Sequence, residues 1–138
     1  MKINITNKTE FIRNFLSPIG KVCDNAVVNI KPDSISALTC TYDSTLFLNC
    51  KLKQNNIVEN NKSLNIPDIN KFISALSCTG QDNILFDVTD NCINYKSDNV
   101  KFKLHLLEEG IINTPAVNID KLKNIKFNTM FEITHDTL

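Results

Sequence analysis

The chain has no tryptophan, only three glycines and only four prolines among its 138 residues. So little glycine and proline argues against a long flexible linker or a low-complexity tail. A chain of this length with 42% hydrophobic residues can bury one real core, and a second domain could only be a fragment. Composition therefore predicts one folded domain.

Net charge is also lacking, because 15 basic residues balance 15 acidic ones. A neutral chain does not coat nucleic acid in general, so any contact with DNA must come from local placement of charge. The sequence has no signal or transit peptide and no apolar run of about 18 residues. It is therefore expected to be soluble, intracellular and cytoplasmic.

Patterns for disulfides, metals and catalysis are missing as well. The cysteines are odd in number, with no CxxC pair and no Cys/His pair at ligand spacing, which is typical of small buried side chains in a reducing compartment. No phosphate loop and no catalytic grouping occurs, so the sequence predicts no cofactor, no metal and no enzymatic activity. The five cysteines are Cys23, Cys40, Cys50, Cys78 and Cys92.

What the chain does contain is a repeat. Residues 2–20 and 63–80 each have the pattern of a short strand, a polar break and an amphipathic helix. At an offset of 61 residues Phe11 aligns with Phe72, and the stretches that follow align at offsets of 58 and 55. The sequence therefore predicts a strand, a helix and three strands, repeated once.

Periodicity and turn residues give the elements of each half. The first helix is capped by Asn7 or Thr9 and is expected to end at Pro18 and Gly20. The second helix is expected to carry Pro67 in its first turn. An antiparallel meander of three strands follows each helix. The six meander strands are predicted at 24–30, 34–41, 45–52, 83–88, 92–97 and 100–107.

The pattern divides the chain into one domain with two half-repeats, a connector and one further strand. The connector breaks both periodicities and contains Gly110 and Pro115, so we expect it to be extended. The last strand has no helix or meander after it, so the chain is expected to stop inside a third copy of the unit. The domain is 1–107, its half-repeats are 1–52 and 62–107, the connector is 108–124, and the further strand lies in 125–138.

The order of elements, together with LSCTGQDNILFDVTDN preceded by SLNIPDINKFISA, resembles the first domain of a DNA sliding clamp of the PCNA and tailed-phage type. The stretch SISALTCTYDSTLFLNCKL is similar to the strand, loop and strand after the first helix of that family. The resemblance covers residues 1–134. It implies an α+β sliding-clamp domain, a duplicated β-α-β-β-β unit with two helices on one face of curved antiparallel sheets. Residues 125–138 would then begin a truncated second clamp domain.

The resemblance also implies a function. The protein would be a DNA polymerase processivity factor, viral or phage-like, that encircles duplex DNA as a ring and tethers the replicative polymerase. Its partners would be duplex DNA of any sequence, the polymerase, a clamp loader and other copies joined through sheet edges. It would lie in the host cytoplasm if phage-encoded and in the nucleus if eukaryotic. A chain of this size has a radius of gyration of about 14 Å, so encirclement requires assembly.

Three groups of candidate site residues follow. The outward faces of the two helices would contact phosphates, with only Glu10 and Asp68 opposing their cations. A groove at the connector would receive hydrophobic partner peptides, and the last strand of the domain would be a subunit edge. The DNA-facing group is Lys8, Arg13, Asn14, Lys21, Lys71 and Ser74; the groove is Cys40, Ile111, Ile112, Pro115 and Val117; the edge is Val100, Phe102 and Leu104.

The residues alone leave other interpretations open. Without the resemblance, the helices have ordinary solvated faces and the apolar connector residues pack beneath their own loop. The whole chain could then be a non-enzymatic α+β protein-interaction module with a peptide groove and no role on DNA. An enzyme with Cys78 or Cys92 as nucleophile and His105 as base is disfavoured, because no base lies at a recognisable spacing.

Overall fold

The structure is a computed structural model that describes residues 1–112. Most of the predicted connector and the strand predicted within 125–138 lie outside the described residues. The strands β1 to β8 are Lys2–Ile5, Ala26–Lys31, Ser34–Cys40, Phe47–Lys53, Lys62–Ile66, Ile84–Val88, Cys92–Lys96 and Lys101–His105. Helix α1 runs without interruption through Lys8–Phe11, a π-helical stretch Ile12–Leu16 and Ser17–Val22, and α2 is Ile69–Ser77.

The first helix is longer than the sequence predicts. Pro18 and Gly20 lie inside α1, so the expectation that they end it is wrong. Pro18 has no N–H to donate, but the π-helical stretch before it has already shifted the bonding pattern, since Ser17 donates to the carbonyl of Ile12 five residues back. Gly20 lies where the last part of α1 packs against the start of α2, and a β-carbon there would come within 2.8 Å of the Asn70 Oδ1.

Both helices begin at polar caps. Asn7 caps α1 by accepting a hydrogen bond from the Glu10 N–H at 3.0 Å, and Asp68 caps α2 by accepting one from the Lys71 N–H at 3.0 Å. Each cap satisfies a backbone donor that the helix itself leaves unpaired. Pro67 precedes the cap of α2, so the prediction that it lies in the first helical turn is wrong.

The eight strands form two antiparallel sheets, and each sheet takes strands from both halves of the chain. One sheet has the order β1-β6-β7-β8 and the other β4-β3-β2-β5. Thus β1, from the first half, pairs with β6 of the second, for example Ile3 with Phe86. Similarly β5, from the second half, pairs with β2 of the first, for example Val28 with Leu64. We call this arrangement the strand exchange.

The two helices also contact each other in an equivalent way from each half. The backbone N–H of Lys8, at the start of α1, donates to the carbonyl of Asp82 at 2.8 Å, just after α2. The N–H of Ile69, at the start of α2, donates to the carbonyl of Asp24 at 2.8 Å, just after α1. Each helix therefore begins beside the segment that follows the other, so the two lie antiparallel and side by side. The two halves therefore make equivalent contacts with each other in the strands and in the helices.

A row of aromatic rings joins the helices to the first sheet. Phe11 on α1 meets Phe72 on α2 edge-on with ring centroids 6.3 Å apart, and Phe72 meets Phe86 on β6 at 5.8 Å. Phe86 in turn contacts Tyr95 on β7 at 6.1 Å. Ile57, from the polar loop between the halves, is also buried. The core is continuous across both halves, in the α+β arrangement that the sequence predicts.

Replacing Phe72 by alanine should therefore destabilise the whole domain. The ring is 2% exposed and links both helices to a sheet, so we expect its loss to lower the free energy of unfolding by about 3–5 kcal/mol. Urea denaturation measures the change. Leu85→Ala is the control, since Leu85 is 53% exposed and should change stability by about 0.5 kcal/mol or less. Equal losses in the two variants would contradict the packing described.

Candidate functional site

Five of the six predicted DNA-facing residues are exposed on the paired helices. Arg13 and Asn14 lie on the π-helical stretch of α1, and Lys21 lies near its end. Lys71 and Ser74 lie on α2. The structure brings these five side chains onto neighbouring helices, but the Ser74 hydroxyl donates its hydrogen to the Asn70 carbonyl at 3.0 Å, so its role as a phosphate donor stays a prediction.

Lys8 differs from the other five. It is half-buried, and its Nζ donates a hydrogen bond to the carbonyl of Thr79 in the segment after α2. That contact directs its ammonium toward the protein. Lys8 therefore joins α1 to the segment after α2, and its role as a phosphate contact stays a prediction.

The charge around the helices is balanced, contrary to expectation. The Asp82 carboxylate accepts from the Thr9 hydroxyl at 2.8 Å, so it lies at the start of α1. Asp24 lies at the start of α2. Together with Glu10 and Asp68, these four acidic residues match the four basic ones, so the expectation of only two opposing acids is wrong. The sequence hides this because Asp24 and Asp82 each follow one helix and meet the other only in the fold.

Three of the five predicted groove residues line one open groove. Cys40, Ile111 and Ile112 border a cavity of about 500 Å³ beside the β3–β4 loop. Ile112 is buried, whereas Ile111 is 57% exposed. Pro115 and Val117 lie outside the described residues, so their place in the groove stays a prediction.

Exposed apolar side chains that the sequence does not single out lie in or near this groove. Tyr42, on the β3–β4 loop, lines the groove and is fully exposed. Leu46 and Phe47 follow on the same loop and at the start of β4, and both are exposed large hydrophobic residues. Phe47 lies directly opposite Cys40 in the β3–β4 pair. A cluster of exposed apolar side chains of this kind is typical of a protein-interaction surface.

The loop that presents Tyr42 is held in shape by Asp43. Its carboxylate accepts hydrogen bonds from the hydroxyls of Thr45 and Thr41, both at 2.7 Å, and from the Thr45 N–H at 3.1 Å. These bonds, that of the Thr45 hydroxyl first, lower the pKa of Asp43. Because the pKa is lowered, the bonds stabilise the folded loop fully at pH values above the ordinary Asp range. This stabilisation is lost only as the pH falls through the lowered pKa.

The edges of the two sheets differ in how they are covered. The β1 edge bonds to the loop between the halves, since the Asn4 N–H on β1 donates to the Ile57 carbonyl at 2.8 Å. The β5 edge bonds to the segment after β8, since the Leu107 N–H donates to the carbonyl of Asn65 on β5 at 3.0 Å. At the far side of each sheet, β8 and β4 have no strand beside them within residues 1–112. We call β4 and β8 the free edges.

The predicted subunit edge falls on one of these strands. Phe102 and Leu104 lie on β8, half-buried and packed against the core, and Val100 lies just before the strand. Their backbone groups on the outer side of β8 are open to another strand. Whether a subunit pairs there stays a prediction.

One cysteine and histidine pair does form in the fold. His105 lies opposite Cys92, with the Cys92 Sγ 3.5 Å from the His105 Nδ1. Sequence spacing could not find it, because the pair arises from the β7–β8 register. Cys92 is only 4% exposed, which leaves a substrate no access to its sulfur. Burial also raises the pKa of the Cys23 and Cys50 thiols, which makes them poorer nucleophiles.

No group of three or more His, Cys, Asp or Glu side chains in residues 1–112 is placed to hold a metal ion. No helix in that range is long and apolar enough to cross a membrane.

No protein-family model matches the sequence, and no curated protein matches it. Solved structures do. The DNA polymerase III subunit beta of Pseudomonas aeruginosa is similar with a TM-score of 0.69 and 15% identity, over 86% of this chain and 33% of that one. A PCNA of A. fulgidus, solved with the C-terminal region of FEN-1, gives 0.68 and 10%, over 85% and 49%. The Helicobacter pylori beta clamp bound to a DNA ligase peptide gives 0.66 and 18%, over 86% and 34%.

These structures are sliding clamps from bacteria and an archaeon, and all share less than a fifth of their residues with this chain. The chain spans only a third to a half of their lengths. Likeness at this identity shows the fold, which confirms the predicted α+β class with its two helices and two four-stranded antiparallel sheets. The chain has the fold of a DNA sliding-clamp domain.

Proposed function

We propose that this chain is part of a sliding clamp, a DNA polymerase processivity factor that encircles duplex DNA as a ring. The observation that carries the proposal is the pairing of two helices side by side with one free edge on each sheet. Free edges allow neighbouring domains to join by strand addition, and head-to-tail joining closes into rings when the rotation permits. In this proposal the protein is a scaffold with no catalytic step.

The similar structures support partner binding and self-association. One beta clamp was solved with a DNA ligase peptide, and one PCNA with the C-terminal region of FEN-1. A further similar structure is a PCNA2–PCNA3 complex, at a TM-score of 0.63 and 12% identity. For this chain we propose duplex DNA, a replicative polymerase, a clamp loader and neighbouring clamp domains as partners.

The rest of the protein follows from the same proposal. Residues 1–107 would be the first clamp domain, 108–124 the interdomain connector, and 125–138 the first strand of the next domain. We propose a viral or phage source and a cytoplasmic location, or a nuclear one in a eukaryote.

The balanced charge of the helices fits a ring that slides. Three cations, Arg13, Lys21 and Lys71, are exposed and free to meet phosphates, while acidic residues at the helix ends limit the attraction. Affinity for DNA and its salt dependence both rise with each phosphate that is neutralised, so the three cations of one domain give weak binding with a shallow salt dependence. Retention on DNA would then come from the closed ring.

The test is retention of the full-length protein on circular against linear DNA. A ring linked to a circle stays bound in high salt, because salt weakens phosphate contacts but does not open the ring. We expect retention on nicked circular plasmid, with the loader if it is needed, and rapid loss after a single cut linearises it. Equal loss from circles and linear DNA would contradict the proposal and favour the interaction module.

Paired variants in the same assay separate the helices from the outer surface. Arg13→Ala with Lys71→Ala should weaken DNA binding and lower its salt slope by about 0.9 for each phosphate contact removed. Lys31→Ala with Lys96→Ala removes the same charge from exposed strand positions and should leave DNA binding unchanged. If the two pairs of variants bind DNA identically, the helices have no specific role in DNA binding.

We further propose that the groove binds short hydrophobic segments of partner proteins. Ile111, Tyr42 and Phe47 are exposed in the free chain, and an apolar partner would release water from all three. The hydrogen bonds of Asp43 fix the loop before binding, which lowers the entropic cost of ordering it.

Ile111→Asp should therefore weaken binding of a labelled peptide from the cognate polymerase by about tenfold or more, since the carboxylate would be desolvated without a partner. Fluorescence anisotropy measures the affinity. Leu85→Asp is the matched control, because Leu85 is similarly exposed but lies on the other sheet. The groove assignment fails if the two variants weaken binding equally or if neither does.

A further inference from the structure

Both free edges carry lysines on their outward faces. On β4, Cys50 and Leu52 are buried in the core, and the alternate residues Lys51 and Lys53 are exposed. On β8, Phe102 and Leu104 face the core, while Lys101 and Lys103 are exposed. The alternation places each pair of lysines two residues apart on one face of its strand. Each edge therefore presents two positive charges beside its open backbone groups.

Nothing in the described residues neutralises these four lysines. Within residues 1–112, the salt bridges join Asp87 to the Met1 amino group and to Lys2, so none involves either free edge. On β7, Lys96 lies directly opposite Lys101 and adds a third positive charge next to the β8 edge. On β3, the residues opposite Lys51 and Lys53 are the serines Ser36 and Ser34.

Direct pairing of β4 from one copy with β8 of another would bring the two lysine pairs together. If the helices stay on one side of the joined sheet, the outward faces become continuous. Side chains directly opposite would then have β-carbons about 4.5–5.5 Å apart, and like charges so placed destabilise a strand pair. These separations are shorter than the Debye length of about 8 Å at physiological salt, so screening removes only part of the repulsion.

We propose that β4 and β8 of this domain reject each other, and that each accepts an edge strand with carboxylates at alternate outward positions. That strand belongs to a different clamp domain, in another part of the protein or in another chain. Its inward positions would be apolar, since Phe102 and Leu104 on β8 and Leu48 on β4 remain only half-buried. The inference rests on the proposed function, because it assumes that clamp domains join at these edges.

Charge reversal on one edge at a time tests the proposal with the 138-residue chain. Lys101→Glu with Lys103→Glu makes β8 acidic and leaves β4 basic, so copies should join head to tail. Lys51→Glu with Lys53→Glu makes β4 acidic and leaves β8 basic, so these copies should also join head to tail. All four substitutions together restore like charges on both edges and should abolish the assembly.

Sedimentation velocity at about 0.1 M and about 1 M salt, with Debye lengths of about 10 and 3 Å, gives the readout. At low salt we expect the wild type and the fourfold variant to remain unassembled, and each single-edge variant to rise about twofold or more in mean mass. The rise should disappear at high salt. Lys21→Glu with Lys71→Glu makes the same change of charge on the helices and should not assemble.

The outcomes separate this inference from the proposed function. Salt-independent self-association of the wild type would overturn the charge rule while leaving edge-to-edge assembly intact. Failure of both single-edge variants to assemble, with folding verified by circular dichroism, would also overturn it. The proposed function is decided separately, by retention of the full-length protein on circular DNA.

Discussion

The strand exchange is the constraint on which the rest of the structure depends. Because β1 completes the sheet of the second half and β5 completes the sheet of the first, neither half can form its own four-stranded sheet. Ile3, Ile5, Leu64 and Ile66 on these two strands are all buried, and each buried side chain contributes about 1.5–3 kcal/mol relative to exposure. The halves must therefore fold as one unit, although the sequence repeats.

The functional surfaces follow from this arrangement. The exchange forces the two helices to lie antiparallel, each beginning beside the segment that follows the other, which brings Arg13, Lys21 and Lys71 onto one pair of helices. It also places β1 and β5 at one end of each sheet, where Ile57 and Leu107 bond to them, and leaves β4 and β8 as the free edges. The same geometry thus provides a helical pair that can face DNA and two borders that can meet other domains. In the proposed function, weak contacts would suffice because a closed ring would supply retention on DNA.

Much of the fold can be predicted from the sequence because the two halves of the chain align with each other. The alignment of Phe11 with Phe72 identified both helices, and turn residues such as those at 31–33 identified the meanders. Local patterns could not show which sheet β1 joins, since both sheets offer it an antiparallel partner. They also missed the continuation of α1 through Pro18, because a π-helical turn depends on packing rather than on residue type.

The candidate site was less predictable, and the reason is distance along the chain. Asp82 reaches the start of α1 only through the fold, so the charge balance of the helices could not be read from neighbours in sequence. Cys40 and Ile111 were placed in one groove by family resemblance, whereas Tyr42 and Phe47 beside them follow from the shape of the β3–β4 loop.

Native-state hydrogen exchange tests the strand exchange most directly. The account predicts that hydrogen-bonded amides of β1 and β5 exchange only through global unfolding, with the same free energy as those of β6 and β2. Exchange of β1 at a markedly lower free energy than β6, with β2 to β4 still protected, would show that the halves are separable and would contradict the account.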